Sequence, residues 1–221
     1  MSAYRRKKRR RLNPRFALLC LALVLGAAAV GVWWADRGLP GEDIAVPDYV
    51  EQDYIPVNDW SRPGTPLEDI NAVVIHYVGN PGTTAHANRN YFESLSSGKE
   101  GTYASSHFIV GLEGEVIQCV PLTEIAYASN TRNGDTVSIE VCHPDDTGKF
   151  DDATMESLEQ LVAWLCETFD LDPAKDVIRH YDVTGKICPK YYVENEDAWL
   201  AFRQNVSARI EEDKTASGET N

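Results

Sequence analysis

Ala72-Val73-Val74-Ile75-His76-Tyr77 is the stretch on which the fold class turns. It is short and β-branched and lacks polar alternation, the pattern of a strand covered on both faces, so it belongs in the middle of a sheet. Further along, Ser106 to Val110 and Glu115 to Val120 flank Gly111-Leu112-Glu113-Gly114, which reads as a hairpin turn. Thr136 to Cys142 and Asp176 to His180 supply two more strands. Between them, Thr84 to Leu95 reads as a helix, and Ala153 to Phe169 puts Met155, Leu158, Leu161, Val162, Leu165, Cys166 and Phe169 on one stripe. Trp199, Phe202, Val206 and Ile210 mark a last helix. Strands and helices are interspersed, so the expected class is α/β with a central mixed β-sheet flanked by helices.

Outward from this body, expected over residues 61–210, the chain changes character. Arg5 to Arg11 is an unbroken basic block, the core of a basic segment over 1–15, and Phe16 to Ala35 is twenty residues without a charge. At about 1.5 Å per helical residue that run covers roughly 30 Å, the thickness of a bilayer's hydrocarbon core. Trp33 and Trp34 fall at its far end, where indoles favour the interface. The expectation is therefore one N-terminal transmembrane helix over 16–35. The basic flank stays cytoplasmic, and the body is a single-pass protein's extracytoplasmic domain at the cell membrane. The alternative is secretion after cleavage of a signal peptide near Ala27-Ala28-Ala29. Residues 36–60, rich in acids and carrying Pro40, Pro47 and Pro56, read as a spacer, and 211–221 as a polar tail that frays.

The net charge of -13 conceals a division: residues 1–37 carry nine basic side chains and one acid, so the rest of the chain carries -21. Such a body repels phosphate backbones, which removes nucleic acid from the expected partners. Cys119, Cys142, Cys166 and Cys188 contain no CxxC pair, so neither a cysteine-rich structural zinc site nor a thioredoxin-like motif is expected. Whether the first three are buried thiols or disulfide-bonded is open.

His76 ends the apolar strand, and His180 and Cys188 are separated by seven residues in Arg179-His180-Tyr181-Asp182-Val183-Thr184-Gly185-Lys186-Ile187-Cys188-Pro189. Two imidazoles and a thiolate would leave one corner of a zinc tetrahedron open, the mark of a catalytic site. These segments, with Ser61-Arg62-Pro63-Gly64, Ser105-Ser106-His107-Phe108-Ile109-Val110 and Ser138-Ile139-Glu140, resemble the type 2 zinc-dependent N-acetylmuramoyl-L-alanine amidases and the related peptidoglycan recognition proteins, over about Tyr54 to Phe202.

The resemblance implies a Zn2+ ion held by His76, His180 and Cys188, with Glu140 as the catalytic base. Other relatives use a tyrosine just before the residue matching His107, where this chain has Ser106. Lys186 matches a lysine that stabilises the oxyanion. His107 is expected to hydrogen-bond inside the sheet, and Tyr77, Asn80, Tyr127 and Asn130 to line a substrate groove. The implied activity is hydrolysis of the amide between N-acetylmuramic acid and L-alanine in peptidoglycan, by a monomer. Two other readings stand beside it: a peptidoglycan-binding receptor that does not cut, and a zinc peptidase acting on another exported amide.

Overall fold

The computed structural model describes residues 38–218. By its internal contacts the chain divides into Met1–Gly38 and Leu39–Asn221, and the fold and site belong to the second unit. Among the described residues no helix is long and apolar enough to cross a membrane; the basic segment 1–15 and the anchor expected over 16–35 lie outside them.

Six strands make one mixed sheet: β1 (Val50–Gln52), β2 (Ala72–Tyr77), β3 (Phe108–Val110), β4 (Val116–Gln118), β5 (Thr136–Val141) and β6 (Val177–Arg179), in the order β1-β4-β3-β5-β2-β6. The quoted run is β2, buried on both faces as its composition demands, and it lies between β5 and β6, one strand in from an edge. Strands β2, β3, β5 and β6 run parallel; β4 returns against β3 through the hairpin at Gly111–Gly114, and β1 runs parallel to β4.

Each face of the sheet is sealed by helices. Val73, Ile75, Val137, Ile139, Val141, Phe108 and Val110 point into a core shared with α2 (Asp152–Phe169) and the C-terminal helix, whose Trp199, Phe202, Val206 and Ile210 are buried. Ile109, Ile117, Cys119 and Val120 meet Ala85 and Phe92 of α1 (Ala85–Ser94) on the other face. Thr84 and Asp151 cap α1 and α2 by accepting from the N–H groups of Ala87 and Thr154, satisfying donors that a helix start leaves orphaned. Three short helices follow, α3 (Pro173–Asp176), α4 (His180–Thr184) and α5 (Lys190–Glu194), before the long α6 (Glu196–Ser217).

Two boundaries differ from the sequence reading. The last part of the expected 36–60 spacer is built into the fold. Val50–Gln52 pairs with Val116–Gln118, Ile55 is completely buried, and Asp53 and Ile55 N–H groups donate to the carbonyls of Gln118 and Cys119. Pairing with an existing edge supplies what a three-residue strand lacks alone. The expected fraying tail is helical through Ser217, where α6 continues beyond buried Ile210 through strong helix formers and a Lys214–Glu211 pair. Cys119, Cys142, Cys166 and Cys188 are buried free thiols.

Candidate metal centre and active site

Register brings the first two site residues together. In the parallel pair of β2 and β5, His76 stands directly beside Glu140, and Glu140 is flanked on its other side by Ile109 of β3. Partners in register project from the same face, here the one covered by α1, at the carboxyl ends of the strands. Glu140 Oε1 lies 4.0 Å from His76 Nδ1.

The other two residues come from the connection after β6. His180 opens α4, Gly185 ends it in the left-handed region at φ 76°, and the chain turns back so that the Cys188 carbonyl accepts from the Tyr181 N–H at 2.9 Å. Glycine adopts that backbone conformation at the least cost, having no Cβ. The result is convergence. Cys188 Sγ lies 3.9 Å from His76 Nδ1, the rings of His76 and His180 are 4.5 Å apart between centroids, and one donor atom from each of His76, His180 and Cys188 falls within 4.8 Å of the others.

Burial sets the protonation states. The His76 imidazole is held well below its ordinary range by desolvation, then by the charges of His180 and Lys186, and His180 is lowered by desolvation and Lys186. Neutral imidazole is the form that ligates a metal. Desolvation pushes the Cys188 thiol up to about 12, with Glu140 adding to the rise. The Glu140 carboxyl is raised to about 8 by desolvation, against the pull of Lys186. Among the described residues, neither ring nitrogen of His180 nor Glu140 Oε2 has a hydrogen-bond partner, although all three atoms are buried. Leaving such groups unpaired costs about 1–3 kcal/mol each, and a cation coordinated by the His–His–Cys set would engage the imidazole and draw both acids back down.

Lys186 is exposed, and its charge reaches His76, His180, Glu140 and Cys188. His107 is buried away from this cluster: its Nδ1 accepts from the Ser138 N–H at 3.0 Å and its Nε2 faces the Glu124 carbonyl at 2.9 Å, so it ties β5 to the loop after β4 as its sequence context suggested. Tyr77 stacks on His143 at 5.1 Å, and Tyr127 is half-buried, while Asn80 and Asn130 are exposed.

Two residues near the cluster were not singled out from sequence. Ser129 is buried with its hydroxyl 3.5 Å from His76 Nε2, the nitrogen turned away from Cys188. Its signal was a lone serine between Tyr127 and Asn130, which carries no periodicity. Arg179 is more consequential. It pairs with Asp182 at 3.0 Å and Glu196 at 2.6 Å, donates to the Tyr192 carbonyl and lies over the Trp199 ring, fastening the start of α4 to α5 and α6. Its signal was position alone: an arginine immediately before a proposed ligand.

The family described as N-acetylmuramoyl-L-alanine amidase matches residues 66–191, more than half of the chain. The chain belongs to this amidase family. Relatives include the N-acetylmuramoyl-L-alanine amidase BlyA of Bacillus subtilis (strain 168), 34% identical over 71% of this chain and 46% of its own length. Another, the amidase CwlL of Bacillus licheniformis, is 30% identical over 73% of this chain and 47% of its own. The chain spans about half the length of these amidases. Among solved structures, a mutant endolysin from Bacillus subtilis superposes with a TM-score of 0.59 at 24% identity, covering 71% of this chain and 97% of that one. The PlyG catalytic domain superposes at 0.60 and 20% identity, covering 73% and 94%. At those identities the likeness establishes the amidase fold, a mixed sheet flanked by helices.

Proposed function

We propose that this chain is a zinc-dependent peptidoglycan hydrolase that cleaves the amide between the lactyl group of N-acetylmuramic acid and L-alanine. The observation that carries the reading is the convergence of His76, His180 and Cys188 beside a half-buried Glu140. The donor set fits the metal: two neutral imidazoles and a sulfur are ligands zinc favours, they number three, and of the two unpartnered nitrogens of His180 the one without a proton needs a cation or a donor. Bound there, zinc would supply Lewis acidity toward water and the amide carbonyl.

The protein's own groups complete the chemistry. The Glu140 carboxylate accepts a proton from the attacking water and delivers it to the departing L-alanine nitrogen, which is a poor leaving group until protonated. Enclosure suits it to both tasks, because the desolvation that raises its pKa narrows the gap between holding and releasing a proton at neutral pH. The Lys186 ammonium faces the carbonyl oxygen as negative charge develops on it. With Nδ1 on the metal, His76 carries its proton on Nε2, and the Ser129 hydroxyl, 3.5 Å away, is placed to accept it.

Incubating the purified chain with peptidoglycan tests this directly. New N-terminal L-alanine, lost on chelation and regained with zinc, is the expected result. Other new amines would make it a peptidase, and retention without products a receptor. The basic block and apolar run of residues 1–35 support anchoring with the body outside the cytoplasm; digestion of the body by protease added to intact, wall-stripped cells is the expected outcome.

A further inference from the structure

The loop that follows β5 takes no part in the hydrolytic chemistry, yet it is built against the segment that carries Cys188. It reads His143-Pro144-Asp145-Asp146-Thr147-Gly148-Lys149-Phe150 and is folded by its own groups. Asp145 Oδ1 accepts from the Thr147 N–H at 2.9 Å and from the Thr147 hydroxyl at 2.5 Å, and the Asp145 carbonyl accepts from His143 Nδ1 at 2.7 Å. Contacts from this frame reach past Cys188. Lys190 Nζ donates to the Asp146 carbonyl at 2.8 Å, and the buried rings of Phe150 and Tyr192 lie 4.9 Å apart between centroids. Gly148, at φ 73°, packs so tightly that an added Cβ would stand 3.3 Å from Lys190 Cβ and 3.3 Å from Cδ2 of Tyr77, the ring that stacks on His143.

Cys188 needs such a hold. Upstream of it residues 184–187 are all exposed, and a Cβ added at Gly185 would meet nothing within 4 Å. The Tyr181 N–H fixes the Cys188 carbonyl and not its sulfur. Downstream, Lys190 is separated from Cys188 by Pro189 alone, and a proline ring locks φ, so a displacement of Lys190 passes to Cys188 with little slack. Groups that orient a metal ligand from behind govern affinity nearly as strongly as the ligand does. We propose that the loop of residues 143–150 is a strap that sets the position of Cys188 in the metal centre, with Gly148 and Lys190 as its positioning residues. This rests on the reading of His76, His180 and Cys188 as metal ligands and adds the elements that hold the sulfur in place.

The test removes the donor in the full chain and reads the sulfur. Lys190→Met keeps an apolar stem but loses the ammonium. Its zinc affinity, measured by competition with a chromophoric chelator, is expected to fall about tenfold, and the thiolate-to-metal absorption of the cobalt-substituted chain to shift. Lys190→Arg can still donate to the Asp146 carbonyl and is expected to restore both. Gly148→Ala presses a methyl on Lys190 and Tyr77 from a backbone conformation unfavourable to alanine, and should move both readouts the same way. Unchanged affinity and absorption in Lys190→Met and Gly148→Ala overturn the strap, as does a loss that arginine does not restore or that the unfolded fraction fully accounts for. If the unsubstituted chain binds no zinc, the metal reading falls and the strap is decided without metal. Alkylation of Cys188 by iodoacetamide, followed by peptide mass spectrometry, is then expected to run about fivefold faster in Lys190→Met than in the unsubstituted chain, and equal rates overturn the strap.

Discussion

The proposed centre has two halves built by different means. His76 and Glu140 sit on neighbouring strands, and their separation follows from β2–β5 pairing. His180 and Cys188 sit on a helix of five residues and the turn after it, where no ladder holds them and side chains must do so: Arg179 with Asp182 and Glu196, and the Tyr181–Cys188 backbone bond. The strand half is stabilised by the global core, so it opens only when the protein unfolds. The loop half is held locally and can open by itself. Damage to the two halves should therefore look different.

The largest effect is expected at the chemistry itself. Glu140→Gln should lower kcat by about 10²- to 10⁴-fold with zinc content by elemental analysis unchanged, since the carboxylate is not among the three proposed ligands. Next is the core behind the strand half: Ile75→Ala empties a fully buried position between Phe150, Leu158 and Trp199. It should cost about 2–5 kcal/mol in urea unfolding, with metal affinity of the folded fraction retained.

Acid sharpens the same contrast. The His107 imidazole is lowered by burial from 6.5 to about 4, so it is neutral when folded and charges when unfolded. Its contribution is intact above about pH 6.5 and is lost as pH falls toward 4, by about 3 kcal/mol at the limit. The urea midpoint should fall over that window, and His107→Gln should flatten the fall. The mildest effect is expected in the loop half: Arg179→Met leaves Asp182 and Glu196 without their partner, but both are partly solvated. A global loss of about 1–2 kcal/mol should accompany faster amide exchange across 180–188 and weaker zinc binding. Unchanged exchange there would mean that the two halves are not held separately.

The same division governs what could be read from sequence. β2, β5 and α2 carry enough apolar residues in period to declare themselves, and His76 was visible because it interrupts such a run. The hairpin was marked by its two glycines. β1 was hidden because only Val50 of its three residues is buried and its strand character comes from β4. The short helices α3, α4 and α5 have no period to detect, so their sequence showed the spacing of His180 and Cys188 without the fastening by Arg179. Ser129 with His76, and Asp146 with Lys190, join residues far apart in the chain, and only tertiary structure assembles them.

The in-register pairing of His76 with Glu140 makes the gap between imidazole and carboxylate quantised. Sliding β5 by one residue would swing the acid to the far side of the sheet, and sliding it by two would carry it a full pleat away. No gradual backbone adjustment lies between those settings, so the remaining way to tune the distance is the length of the side chain, one methylene at a time.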